Sequence, residues 1–238
     1  MCLRCTRLMP RDKGKASGGG AAAAAAPPPP TTSHVSVPWH VCGATFITEN
    51  VWDKRVPVDV LKRFRPAPVG SSPSQPCTLM RPGRITDPSH PAYGQCGLFA
   101  AKKLACGAHV CDYRGVVCLT EHESKTSDYT LSFVDEPGIR LTLDAEKFGN
   151  EARFINDYRG TGQKANVRFA TRVDHRGVTH MGVFVSAPRG VAKGQELLLS
   201  YGKGFWLARG LLRHHDSCSE QDVDALAETL ERVLLEET

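Results

Sequence analysis

Glu151-Ala152-Arg153-Phe154-Ile155-Asn156 is the stretch on which the reading of this 238-residue chain turns. It closes a longer run that begins at Leu143 and passes through Asp144-Ala145-Glu146-Lys147-Phe148-Gly149-Asn150, and Ala165-Asn166-Val167 follows it. Upstream, Gly94-Gln95-Cys96-Gly97-Leu98-Phe99-Ala100-Ala101 leads through Leu104 and Gly107 to Val110-Cys111-Asp112-Tyr113-Arg114-Gly115. Downstream stand Lys193-Gly194-Gln195-Glu196-Leu197-Leu198-Leu199-Ser200-Tyr201-Gly202 and then Phe205-Trp206. Singly, none is diagnostic, because a Gly-Leu-Phe-Ala start is a common β edge and a Gly-Gln-Glu turn before an apolar strand is a common hairpin. Around them, from about Thr78 to Trp206, short β-like runs alternate with Gly, Pro and Asp turns. The runs are Gly97 to Ala101, His109 to Cys118, Tyr129 to Val134, Ile139 to Leu143, Asn166 to Thr171, Met181 to Ser186 and Glu196 to Tyr201. So many short strands with little helix between them predict a mostly β domain of small, non-sequential sheets.

The rest of the chain sets limits on what this domain can be. A composition 41% hydrophobic and 23% charged is globular, and no apolar run reaches the length of a membrane span. No uninterrupted apolar segment follows the basic residues of Met1 to Leu8, so a secretory signal is not expected and the setting is read as intracellular. Nine cysteines (Cys2, Cys5, Cys42, Cys77, Cys96, Cys106, Cys111, Cys118, Cys218) are an odd number, scattered through a chain long enough to bury a core. They read as thiols, not as a disulfide framework.

The formal charge of +5 is unevenly placed. Arg4, Arg7, Arg11, Lys13 and Lys15 face Asp12 alone in the first 32 residues, while the last twenty hold seven acids against Arg232. Gly18 to Gly20, Ala21 to Ala26 and Pro27 to Pro30 offer almost no side chain able to offset ordering entropy, so residues 1–32 are expected to be a disordered arm with at most nonspecific nucleic-acid contact. Residues 33–76 turn apolar again, with Trp39, Phe46, Val51, Trp52, Val60 and Phe64, and form an expected flanking subdomain. Pro57 to Arg65 reads there as a short helix ended by Pro66 and Pro68, followed by a loop over Ser71 to Pro76. Residues 77–210 are the β domain. In the extension 211–238, Val223, Leu226, Leu230 and Val233 recur at helical spacing behind Ser219, which predicts an acidic amphipathic helix docked on the domain.

Together, in this order and at these separations, the three motif segments closely resemble the SET domain of protein lysine methyltransferases. The resemblance runs from roughly Thr78 to Trp206. It implies a fold of small curved sheets in which the Arg-Phe-Ile-Asn segment threads beneath the loop carrying a catalytic tyrosine, making a pseudoknot. It also implies S-adenosylmethionine as cofactor, a target lysine entering a narrow channel from the opposite face, and in-line methyl transfer to a neutral amine without a metal. Tyr201 then matches the catalytic tyrosine, with Tyr113 supplying a second phenol. The cofactor-binding set is Cys96, Gly97, Tyr129, Arg153, Asn156, Asp157 and Phe205. Of these, Gly97 would admit the cofactor to the backbone, Asn156 would hold it with its amide, the Asp157 backbone would meet the adenine edge, and Phe205 would pack on the ring. The aromatics Tyr129 and Phe205 have an ordinary alternative as core residues, and Tyr201 as a structural strand-end tyrosine.

The chain departs from the family pattern in several places. Asn156-Asp157-Tyr158-Arg159 replaces the usual Asn-His-Ser-Cys, and after Trp206 only Cys218 remains, so the zinc-binding flanks of some relatives cannot be assembled and no structural zinc is expected. Gln95 replaces the first glycine of Gly-Xaa-Gly, Ser200 the acid before the tyrosine, and Leu199 an aromatic that helps set methylation number. The expected function is S-adenosylmethionine-dependent lysine methylation of a histone or another protein by a monomer in the nucleus, away from membranes. The rival is a catalytically silent SET domain that binds a peptide or partner protein.

Overall fold

Val-, Leu- and Ile-rich runs of seven residues or fewer, cut by glycine and proline, favour short strands over long helices, and the chain builds small sheets accordingly. A computed structural model describes residues 43–65 and 77–207. The chain divides into two compact units, Met1–Ser200 and Tyr201–Thr238. The expected arm, the loop over Ser71 to Pro76, the C-terminal helix, and Cys2, Cys5, Cys42 and Cys218 lie outside the described residues.

The first unit opens with β1 (Thr45–Phe46), β2 (Val51–Trp52) and helix α1 (Val58–Phe64). Pro57 sits at the N-cap with φ −58°, a value its ring fixes in advance, and Val60 and Phe64, one turn apart, are the buried face. There follow β3 (Met80–Arg84), β4 (Cys96–Ala100), β5 (His109–Asp112), β6 (Val116–Leu119), β7 (Thr130–Glu136), β8 (Ile139–Asp144) and β9 (Phe148–Gly149). The set ends with β10 (Asn156–Asp157), β11 (Val167–Val173), β12 (Thr179–Val185) and β13 (Leu198–Leu199). Four strands pair in the order β2-β6-β8-β7 and three in the order β11-β12-β5, while β3-β4, β1-β9 and β10-β13 are two-stranded. The flanking segment thus joins the sheets of the β domain: β1 pairs parallel with β9, and β2 with β6.

Val117 on β6, Leu141 and Leu143 on β8, Val183 and Val185 on β12, and Leu98, Leu197 and Leu198 are fully buried side chains of the core. Each contributes about 1.5–3 kcal/mol of transfer free energy on burial. No helix among the described residues is long and apolar enough to cross a membrane.

Two expected strands are corrected. His109 to Cys118 is not one run but two strands, β5 and β6, in different sheets. The break falls at Tyr113-Arg114-Gly115, where the chain passes so close to β8 that a Cβ on Gly115 would lie 2.6 Å from the Asp144 carbonyl oxygen. Glu196 to Tyr201 is likewise divided. Ala100 N–H donates to Gln195 O and Leu197 N–H to Leu98 O, so residues 195–197 run along β4. Only Leu198 and Leu199 then turn to pair with β10, in parallel, with Asn156 opposite Leu198. β3 escaped the sequence reading because Pro82 lies inside it. The proline is tolerated in a two-stranded sheet, where β3 needs only one hydrogen-bonded edge.

Candidate functional site

The parallel pairing of β10 with β13 places the end of the Arg-Phe-Ile-Asn segment against the strand that precedes Tyr201 in sequence. Beside it, the 3₁₀ turn Glu151–Phe154 packs on β4, which carries Cys96 and Gly97. Asn156 and the adjacent pair Cys96 and Gly97, far from it in sequence, therefore come together.

Asn156 is buried, and its Nδ2 donates to the Cys96 carbonyl oxygen (3.2 Å) and to Glu196 Oε1 (2.9 Å). Both neighbours accept, which fixes the orientation of the carboxamide and leaves Oδ1 as the atom with no hydrogen bond among the described residues. Gly97 is required by the same cluster: a Cβ there would stand 2.7 Å from Glu196 Oε1. The expectation that Gly97 makes room for a ligand is thus joined by a second reason, because the chain's own carboxylate fills that space. Glu196 is positioned from several sides. Asn166 Nδ2 donates to its carbonyl (2.8 Å), Asn166 Oδ1 accepts from Leu198 N–H (2.9 Å), and residue 196 bridges to Phe99.

His90 completes the cluster. Its Nδ1 accepts from Ala92 N–H (3.0 Å), so the ring proton resides on Nε2, which lies 3.2 Å from Glu196 Oε2 but outside hydrogen-bonding angles. The two side chains are only 8% and 7% exposed, and no Lys or Arg among the described residues pairs with Glu196. Sequence reasoning missed both roles. Glu196 carried a signal, a carboxylate directly before three leucines that enter the core, whereas His90 in its Pro-Ser-His-Pro loop carried none.

A second cluster gathers Tyr113, Tyr129 and Arg153. Tyr113 is buried, its hydroxyl donates to the Tyr129 carbonyl (2.8 Å), and burial pushes its phenol far above the ordinary range, so it stays protonated. Arg153 lies 4.3 Å over the Tyr129 ring and donates through Nε to Ala145 O (3.0 Å) and through Nη2 to Glu146 O (3.2 Å). Its guanidinium clasps the turn after β8. Asp157 is buried as well, and its carboxylate accepts from Arg159 N–H and Nη1 (both 2.8 Å), the local link that replaces the family's His-Ser-Cys.

In the second unit, Tyr201, Phe205 and Trp206 form an aromatic group around the short helix α2 (Lys203–Leu207). Tyr201 meets Phe205 edge-on at 4.7 Å and stacks on Trp206 at 6.3 Å and 16°. Cys77, Cys106, Cys111 and Cys118 form no disulfide, and no group of three or more potential metal ligands occurs among the described residues.

The family model of the SET domain matches residues 95–202. This region is a SET domain. The match begins at the residue before Cys96 and ends at the residue after Tyr201, so all three motif segments fall largely inside it. A search of curated proteins finds no match. Among solved structures, this chain is similar to ATXR5 in complex with histone H3.1 mono-methylated on an arginine, at 16% identity and TM-score 0.47, covering 69% of this chain and 83% of that one. It is also similar to ctPRC2 in an autoinhibited conformation bound to S-adenosylmethionine, at 18% identity and TM-score 0.41, covering 56% of this chain and 16% of that one. KRYPTONITE in complex with mCHH DNA, an H3(1-15) peptide and SAH is similar at 22% identity and TM-score 0.36, covering 52% and 23%. The SET-domain chain thus spans less than a quarter of the length of the last two.

Proposed function

We propose that this SET domain transfers a methyl group from S-adenosylmethionine to a lysine side chain of a protein, with a histone as the favoured substrate and the nucleus as the corresponding location. The observation that carries the reading is the meeting of Asn156, Cys96 and Gly97 within a matched SET domain. Their chemistry suits this cofactor. An amide oxygen without a hydrogen-bond partner among the described residues, next to a buried carboxylate that has no Lys or Arg partner among them, favours a ligand that carries positive charge and N–H donors. When bound, S-adenosylmethionine supplies an electrophilic methyl group on a cationic sulfur.

The chain's own residues then have separable tasks. Asn156 and the Cys96–Gly97 backbone hold one end of the cofactor, and the Asp157 backbone meets the adenine edge. Tyr129 and Arg153 wall the pocket, with Arg153 keeping the turn after β8 closed. Lysine, with an ordinary pKa of about 10.4, must be neutral to attack, and a dry channel favours that form. Tyr201 orients the amine lone pair. Tyr113, whose single proton goes to the Tyr129 carbonyl, can act toward the amine only as an acceptor.

A domain that binds peptide without turnover is favoured by one feature, the replacement of His-Ser-Cys after Asn156 by an Asp157–Arg159 pair. The test is reaction of the full chain with labelled cofactor and a histone panel, read by mass spectrometry for site and methylation degree. Methyl transfer is expected, with Tyr201→Phe lowering turnover by about 10²-fold or more while cofactor affinity holds. Cofactor binding without transfer would establish the silent module instead.

A further inference from the structure

We propose that Glu196, braced by His90, is a positioning residue: it turns the Asn156 carboxamide so that only its oxygen is available to a ligand, which makes the site selective for the α-ammonium group of the cofactor. The inference rests on the methyltransferase reading above for the identity of the ligand, but the positioning itself stands on contacts within the protein.

A carboxamide can present either a donor or an acceptor, and the two edges differ by a rotation that costs little in isolation. At Asn156 the choice is already made. Both Nδ2 protons have acceptors, the Cys96 carbonyl and Glu196 Oε1, and a flipped amide would set Oδ1 against two acceptors in a buried place. The Cys96 carbonyl alone would leave one Nδ2 proton unsatisfied. Glu196 therefore completes the lock, and its charge makes that bond the stronger of the two.

Glu196 is held to this task by its surroundings. Its backbone is gripped by Asn166 and by β4, and Gly97 leaves the space its carboxylate occupies. His90 faces the second oxygen at 3.2 Å. Because Ala92 N–H occupies Nδ1, that imidazole presents N–H and not a lone pair to the carboxylate, so the pair is attractive. Nε2 is buried without a hydrogen bond, one short adjustment away from making one with Oε2. A small shift of Glu196 on ligand binding would satisfy it. Of the groups on S-adenosylmethionine, the α-ammonium is the cation that bears N–H donors, and an amide oxygen backed by a carboxylate is suited to receive it.

The test compares two probes by calorimetry on the full chain: S-adenosylhomocysteine and its analogue lacking the α-amino group. The wild type is expected to prefer the amine by about tenfold or more, as a charge-assisted hydrogen bond predicts. Glu196→Ala should bring the ratio close to one with little loss of affinity for the amine-free probe, and Glu196→Gln, whose side-chain oxygen can still accept from Nδ2, should keep most of it. An unchanged ratio in Glu196→Ala overturns the proposal, since a purely structural role weakens both probes alike. If Glu196→Ala does not fold, His90→Gln is read in its place and should lower the ratio in the same direction; an unchanged ratio there overturns it too. A ligand-free measurement separates the two readings. The Asn156 side-chain amide protons should be slow to exchange by NMR in the wild type and fast once Glu196 or His90 is replaced. If the wild type binds neither probe, the methyltransferase reading fails; retained protection in the variants would sink the positioning role by itself.

Discussion

Asp112 and Glu196 are both carboxylates buried in the first unit, and they are neutralised in different ways. Asp112, at the end of β5, receives Arg172 through two bonds (2.7 and 2.6 Å), Arg114 (2.8 Å) and His109 (3.0 Å). His180 on β12 extends the network, with Nδ1 facing Arg114 (3.1 Å) and Nε2 facing Asp174 (3.1 Å). Burial alone would push the Asp112 carboxyl up, but the His109, Arg172 and Arg114 partners outweigh it and hold it well below the ordinary range. Glu196 has an amide and an imidazole in place of two guanidinium groups. The first arrangement closes on itself and joins β5, β11 and β12; the second leaves polarity in reserve next to Asn156. A buried charge that is fully paired is best explained by the fold, and one that is incompletely paired by something the site receives.

The largest test of this contrast is Asp112→Ala. It leaves Arg114 and Arg172 facing each other without their anion, and should cost about 3–5 kcal/mol of stability in denaturant unfolding. The preference between the two cofactor probes should survive in whatever fraction folds. A loss below about 1 kcal/mol would erase the distinction between the two carboxylates.

Asn156→Ala comes next, with the effect on the ligand in place of the fold. Cofactor affinity should drop by about 1–3 kcal/mol in calorimetry, because the bound amine loses its acceptor and Glu196 loses its donor. Unchanged affinity would remove Asn156 from the site. Gly97→Ala should act in the same direction through sterics, by about 1–2 kcal/mol, since the new methyl pushes the Glu196 carboxylate off Asn156. Combining it with Glu196→Ala should add little to either single change; full additivity in the double-mutant cycle would mean that the two positions do not share that space.

The smallest expected effect is on pH. Burial, foremost, holds the His180 imidazole below its ordinary value in the folded state. The unfolded chain then takes up a proton near pH 6.5 that the folded chain refuses. The His180 contribution to stability is accordingly complete above about pH 6.5 and declines as pH falls below it, whereas the Asp112 contribution persists until below about pH 4. Unfolding titrations should show a gentle slope below about pH 6.5 that is reduced in His180→Gln. An unaltered slope would assign it to another group.

Much of this was legible in the residue string, and what was legible was local. Helix α1 was placed to within a residue at each end because Pro57 fixes its start and Val60 and Phe64 mark its inner face. The turn-bounded apolar runs gave most strands of the large sheets. The failures occurred where strand ends were decided by another part of the chain. The division between β5 and β6 depends on Gly115 lying against Asp144, and the shortness of β13 depends on β4 taking the backbone of residues 195–197 first. β3 was hidden by Pro82, whose acceptability is a property of a two-stranded sheet and not of the residue.

The site divides along the same line. Sequence alone determined the family, through the order and spacing of three motifs, and with it the candidate residues Gly97, Asn156 and Tyr201. It also fixed where the charge lies, since that is a matter of counting. Only the tertiary structure decided which atoms those residues have left to offer. Pairing β10 with β13 and bridging residue 196 to β4 brought Asn156, Cys96 and Glu196 within hydrogen-bonding distance, and a donor already satisfied by a neighbour cannot be recognised from the string that contains it. Residue type sets the inventory of donors and acceptors, and three-dimensional contact determines how that inventory is used.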